Sequence, residues 1–117
     1  MRPLANYKVL ESAHQLALAT YRSTVSFPTD EQYGLRSQLR RAAASIPLNI
    51  SEGAGRGSDR DFAKFLNIAA GSASELEYGI RLANDLGHLA HSDAPQLLSQ
   101  LADVRRMLAG LLRALNL

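Results

Sequence analysis

Glu11-Ser12-Ala13-His14 sets a carboxylate and an imidazole three positions apart. Helical bundles hold di-iron and di-manganese pairs with this Glu-x-x-His spacing, using two such motifs and further carboxylates. Asp85-Leu86-Gly87-His88 repeats the spacing, but it straddles a predicted helix end. The pair is therefore incomplete, and Glu11 and His14 read as a solvated helix face. Glu75 and Glu77 bracket the apolar Leu76. A paired-carboxylate site would need a histidine or nucleophile to join them, and none is suitably placed. Glu77 and Arg81 instead form an i,i+4 pair in the better of its two orientations. No catalytic residue, metal or cofactor is expected, and the chain reads as a non-enzyme.

Gly53-Ala54-Gly55-Arg56-Gly57-Ser58 precedes a helix N-terminus, a place that can bind anions. No strand precedes it and no Gly-Lys-Ser/Thr ends it, so it is not a P-loop. Asp59 and Asp61 already occupy the positive end of the following helix, which works against phosphate there. A turn between two helices is the expected role.

The remaining chemistry lies in the arginines. Only Lys8 and Lys64 are lysines among 13 basic residues, and Arg binds phosphate and carboxylate in a bidentate way that Lys does not. Arg36 and Arg40 share one side of a predicted helix, with Arg41 on the other. Arg56, Arg60 and Lys64 follow from the glycine turn onto the next helix, and Arg105 and Arg106 lie near the C-terminus. Arg36, Arg40, Arg41, Arg56, Arg60 and Lys64 are the candidate phosphate-binding residues. The alternative is a solvated face, with these cations paired to nearby Asp and Glu. No aromatic residues interleave with them to stack bases, which disfavours single-strand recognition.

At 117 residues, the chain has the length of one domain, 1–117, and can bury a core without staples. Its net charge is only +2. It contains no Cys, which excludes disulfides and thiolate metal sites and fits the reducing cytoplasm where the protein is expected. The N-terminus lacks a continuous apolar segment, and no apolar run approaches the ~20 residues of a membrane helix. No membrane partner is expected.

Apolar residues recur with helical period almost throughout, and strand-like alternation is nearly absent. The first helix is predicted from about Tyr7 to Val25, with a stripe of Val9, Ala13, Leu16, Ala17 and Thr20; it stops before Phe27-Pro28. Thr29-Asp30-Glu31-Gln32 is a capping-box pattern for a first turn. The second helix spans about Gly34 to Glu52, with Leu35, Leu39, Ala42, Ile46 and Ile50 on one stripe. Pro47 lies inside it, so a kink is expected. Gly53, Gly55 and Gly57 should end it and form the turn. Ser58 is the expected N-cap of the third helix, Asp61 its N3 residue, and Gly87 its terminating residue. Its stripe is Phe62, Phe65, Leu66, Ala69, Ala73, Leu76, Ile80 and Ala83. The fourth helix opens at Ser92 or Asp93, with Pro95 in its first turn and a seam of Leu97, Leu101, Val104, Leu108, Leu111 and Leu115.

Four amphipathic helices with short connections define an all-α fold, an antiparallel up-down-up-down four-helix bundle about 30 Å tall. The small-residue runs Ala42-Ala43-Ala44-Ser45 and Ala69-Ala70-Gly71-Ser72-Ala73-Ser74 should meet at one height and let the two axes approach closely. Close contact would explain Gly71 and Gly79, each costing ~1 kcal/mol inside a helix relative to Ala. Gly71, Ser74 and Tyr78 on the third helix, with Leu98 and Leu112 on the fourth, suggest a second adhesive surface and hence a homo-oligomer.

The stretch from Tyr33 to Leu89 resembles a known family. LRRAAASIPLNISEGAGR carries most of the resemblance, SASELEYGIRLANDLG supports it, and AHQLALATYRSTVSFP matches in style. The family comprises four-helix-bundle proteins encoded in intervening sequences of bacterial 23S rRNA genes, related to accessory proteins of diversity-generating retroelements. The resemblance implies a ring-like homo-pentamer. It also implies association with RNA or DNA, or with a nucleic-acid enzyme such as a reverse transcriptase. Arg40, Arg41, Pro47, Asn49, Glu52, Gly53, Gly55, Arg56, Phe62, Phe65 and Glu75 match the family tract, mostly in structural roles. Two functions follow as expectations: an oligomer that binds nucleic acid or its enzymes through Arg-rich faces, or a purely structural protein-interaction module.

Overall fold

The computed structural model describes residues 8–115. Among the described residues there are four helices, α1 (Lys8–Ser23), α2 (Leu35–Ala54), α3 (Asp59–Asp85) and α4 (Asp93–Leu115), with a 3-10 turn at Thr29–Glu31. No strand occurs among the described residues. Each helix packs on its sequence neighbour, and α1 also packs on α4, closing the bundle. The body is 43 Å long and 24 by 22 Å across. It exceeds the expected height because α3 has 27 residues, which at 1.5 Å each rise ~40 Å.

The apolar stripes become one core. Val9, Ala13 and Leu16 of α1 meet Leu39, Ala43, Ile46 and Ile50 of α2 and Phe62, Leu66, Ala69, Ala73, Leu76 and Ile80 of α3. From α4, Leu97, Leu101, Val104 and Leu108 complete it, while Leu111 and Leu115 are only half-buried. Leu35, Ala17 and Phe65 are likewise half-buried. No described helix is long and apolar enough to cross a membrane.

α1 ends at Ser23, two residues short of expectation, and a polar network lines its last turns. The buried Thr20 and Thr24 hydroxyls donate back to the Leu16 and Thr20 carbonyls at 2.8 and 2.9 Å. This back-bonding lets a β-branched polar residue lie in a core without an unpaired hydroxyl. Tyr7 lies outside the described residues.

The Thr29 pattern does not form a capping box. The 3-10 turn follows Pro28 without a side-chain cap, and Glu31 serves α2 instead: its Oε1 accepts from the Leu35 N–H at 3.0 Å. Gly34, the N-cap residue of α2, has no side chain to cap with. A Cβ at Gly34 would stand 2.7 Å from that Glu31 oxygen, so the missing side chain admits the substitute cap.

α2 is one continuous helix through Pro47, with no extended segment at 45–48. It runs to Ala54, past the expected end, and Gly53 is a buried helical residue and not a turn former. A Cβ there would lie 2.8 Å from Phe65 Cβ and 3.0 Å from Phe62 Cδ1, so Gly53 is where α3 presses closest on α2. The small-residue runs do meet: the Ser45 and Ser72 hydroxyls are 2.7 Å apart. Gly79 also marks a close approach, with Leu39 Cδ1 2.9 Å from a would-be Cβ. Gly71 does not. A Cβ there would meet nothing within 4 Å, because its face of α3 points away from the bundle.

α3 begins as its sequence predicts, with Ser58 Oγ accepting from the Asp61 N–H at 3.1 Å. It ends at a left-handed Gly87 (φ 78°). There the His88 N–H reaches the Ala83 carbonyl at 2.9 Å and the Gly87 N–H the Asn84 carbonyl at 3.0 Å. These are the paired bonds of a Schellman cap, and the conformation suits a residue without Cβ. α4 opens at Asp93, with Pro95 in the first turn, where its missing N–H costs nothing.

Candidate functional site

The six candidate cations divide into two groups at opposite ends of α2. Arg36 Nη2 donates to the Phe27 carbonyl at 2.9 Å and the Val25 carbonyl at 3.3 Å. Arg40 donates from Nε to Thr24 Oγ1 at 2.8 Å and from Nη2 to the Tyr21 carbonyl at 3.1 Å, with its guanidinium over the Tyr21 ring at 4.9 Å. Both are half-buried; Arg40 closes the C-terminal end of α1, where positive charge complements the helix dipole, and Arg36 fastens the connection that follows it. Arg36 Nε is buried with no acceptor among the described residues. Arg41 is exposed and bonded to Gln38 Oε1 at 2.8 Å.

Arg56, Arg60 and Lys64 lie at the other end of α2, where the chain enters α3. Arg56 pairs with Glu52 at 3.2 Å across one helical turn. Its guanidinium also lies over the Phe65 ring at 4.9 Å, and Lys64 Nζ approaches the same ring at 5.8 Å. Phe65 thus gathers two cations by cation–π attraction. Arg60 is exposed and has no ion pair among the described residues. Twenty helical positions separate Arg36 from Arg56, or about 30 Å, so the six candidate cations do not form one patch. Arg105 and Arg106 are paired as well, with Glu77 at 2.6 Å and Asp103 at 3.0 Å.

Glu77 therefore bridges α3 to α4 through Arg105 and does not pair with Arg81 along α3. The cross-helix partner reaches the carboxylate from the facing helix, a geometry invisible to spacing within one helix. Glu11 accepts a hydrogen bond from Gln15 at 2.9 Å, and His14 is exposed. No group of three or more metal-binding side chains occurs among the described residues.

Sequence reasoning missed one polar pair. His88 Nε2 and Glu31 Oε2 are 3.1 Å apart, joining the α1–α2 connection to the end of α3. The His88 ring also stacks at a tilt on Phe27, with centroids 5.4 Å apart. The Leu35 N–H bond first, and the His88 bond second, hold the Glu31 carboxyl below the usual carboxylate range, outweighing the opposing effect of burial. Glu31 and His88 are 57 residues apart, so no local pattern could announce them.

The outer face of α3 carries the apolar candidates. Tyr78 is 63% exposed. On its α2 side is a groove of about 380 Å³ lined by Leu35, Gln38, Leu39, Glu75, Gly79 and Leu82. On its α4 side is a second of about 360 Å³ that includes Ser74, Arg81, Asn84, Ala94 and Leu98. Tyr78 is the ridge between them. Ser74, Tyr78 and Leu98 are thus brought together, and Gly71 lies two turns back along α3. Leu112 is not part of this group: it is half-buried against the protein's own core, as Leu98 partly is. Exposed large apolar side chains occur on α2 and α3 at Leu48, Ile68, Tyr78 and Leu82, and none belongs to α4.

The fold and surface define a closed helical bundle with an apolar ridge on one helix and a cationic corner at one end. The match to the family model for the 23S rRNA-intervening sequence protein extends over residues 5–110, and the chain belongs to that family. A crystal structure of a protein of unknown function from the S23 ribosomal protein family of Bacteroides thetaiotaomicron shares the fold. Its TM-score is 0.79 at 22% identity, covering 89% of this chain and 97% of that one. No curated protein matches the chain.

Proposed function

We propose that the protein is a non-enzymatic, homo-oligomeric four-helix bundle, a pentamer, that assembles through the outer face of α3. The observation that carries this is Tyr78, exposed between two grooves, with Gly71 open to a close approach from outside. Apolar ridges flanked by grooves favour helix packing, in which a ridge of one partner fills a groove of the other. Light scattering on a size-exclusion column tests it: the native chain should elute as a pentamer and Tyr78→Ser as smaller species. A monomer at micromolar concentration removes the proposal.

A second reading is favoured by the cationic corner. Arg60 carries no ion pair among the described residues, and Arg56 and Lys64 gather beside it on Phe65. In this reading the assembled oligomer binds RNA or DNA, or an enzyme that acts on it, there and at Arg41. One subunit at +2 is a poor polyanion ligand, and repetition around a ring would strengthen it. Arg36 and Arg40 would contribute less, since their donors already serve the end of α1 and the connection that follows it.

The proposed architecture is a single domain with alternating helix directions and α2 bent at Pro47. Contacts between α2 and α3 at Leu39 with Gly79, Ser45 with Ser72 and Gly53 with Phe65 support the reversal, because their order inverts along the two helices. Loss of the Pro47 N–H supports the bend.

A further inference from the structure

Glu31 alone links three structural features at one end of the bundle. Its Oε1 caps the first turn of α2 through the Leu35 N–H. Its Oε2 meets His88 Nε2, on the residue whose own N–H closes the Schellman cap of α3. His88 in turn leans on Phe27, a buried residue of the α1–α2 connection. We propose that Glu31 and His88 form an acid-released latch, which holds the 3-10 turn and the start of α2 against the end of α3 while Glu31 is ionised.

The direction of release follows from donor and acceptor chemistry. An ionised carboxylate only accepts, so His88 Nε2 donates, whether the ring is cationic or neutral with its proton on Nε2. Deprotonating His88 therefore leaves the hydrogen bond in place. Protonating Glu31 removes the charge that both donors favour, and the cap and the clasp weaken together. Other charged groups at this end are Arg22 on α1, Asp30 on the turn, Arg36 on α2, Asp85 on α3, His91 in the α3–α4 connection and Asp93 on α4. None of them makes a hydrogen bond or ion pair with Glu31 or His88. Arg36 acts beside the latch, on the Phe27 and Val25 carbonyls, and holds the α1–α2 connection to α2 independently of it. Release would loosen Leu35, one wall of the groove beside Tyr78. The latch itself stands whether or not that groove takes a partner.

An NMR acid titration of the intact protein tests this, following the Leu35 amide and the Phe27 ring. Both signals should move with one shared midpoint below the usual carboxylate range, while helical circular dichroism is retained. Glu31→Gln, whose amide oxygen still accepts from Leu35 but cannot ionise, should abolish the shared transition. His88→Leu should keep the Leu35 transition, moved toward the ordinary carboxylate range, and uncouple Phe27 from it. Separate midpoints in the native protein, a transition that survives Glu31→Gln, or loss of helical signal at the same midpoint each overturns the latch.

Discussion

Gly53 of α2 and Phe65 of α3 approach so closely that a methyl on the glycine would lie 2.8 Å from the phenylalanine Cβ. The second obstacle, Phe62 Cδ1 at 3.0 Å, belongs to a fully buried ring that cannot swing aside. Gly53→Ala should therefore destabilise the bundle by about 1–3 kcal/mol, the cost of overpacking, despite the better helix propensity of Ala. Urea denaturation at neutral pH reads the difference.

Gly71→Ala should do the opposite within one subunit. Nothing lies within 4 Å of the added methyl, so the helix gains up to about 1 kcal/mol in propensity. If Gly71 lies in the subunit contact, as proposed, the same methyl obstructs assembly. The expected pair of results is a higher unfolding midpoint for dissociated subunits and a weaker oligomer by light scattering.

Arg40→Met should loosen the end of α1 and leave the rest of the fold intact. It removes charge-assisted bonds to Thr24 and the Tyr21 carbonyl, worth about 1–3 kcal/mol together in a half-buried setting. Amide exchange at the end of α1 should accelerate most. Unchanged stability would mean that Arg40 is a solvated side chain, free for phosphate.

Stability should also depend on acid through Glu31. Its carboxyl lies below the usual carboxylate range in the folded protein, so the folded state binds this proton less readily than the unfolded chain. The contribution is complete above the ordinary carboxylate range and is lost as pH falls through the lowered value. Denaturation of the native chain and Glu31→Gln should differ at pH 7 and converge only once the pH has fallen below the ordinary carboxylate range. A constant difference across that interval would contradict the assignment.

Replacing Arg56, Arg60 and Lys64 together tests the cationic corner. Binding to duplex DNA or RNA, measured by anisotropy at low salt, should weaken for every sequence alike. On duplex DNA its salt dependence should flatten by about 0.9 per phosphate contact removed. The oligomer should persist, since these side chains lie off the core. No binding by the native protein leaves the interaction-module reading, and dissolution of the oligomer would assign the cations to subunit contacts.

The elements were legible because their signals are local. Ser58 and Gly87 bound α3 through bonds to residues within five positions, and the stripe from Leu97 to Leu108 already shows which face of α4 is inward. The misread residues are those whose partners are distant. Gly53 resembles a turn former until Phe62 and Phe65 are seen against it. Glu31 resembles an interior residue of a capping box until Leu35 and His88 are seen to take one of its oxygens each. Arg36 and Arg40 resemble an anion-binding face until the carbonyls of the α1–α2 connection and of the end of α1 are placed before them.

Four helices, their limits to within a few residues and the buried side of each can be read from the chain alone. Burial and capping act over one or two turns, and their periods are written in the chain. Packing between helices settled which charges are consumed and which glycines are crowded. It also decided that Tyr78 stands between two grooves and that His88 clasps Glu31. A charge or a hydrogen-bonding atom carries no record of its partner, and the same side chain can serve solvent, a carbonyl or a phosphate until the fold places one of them within about 3 Å.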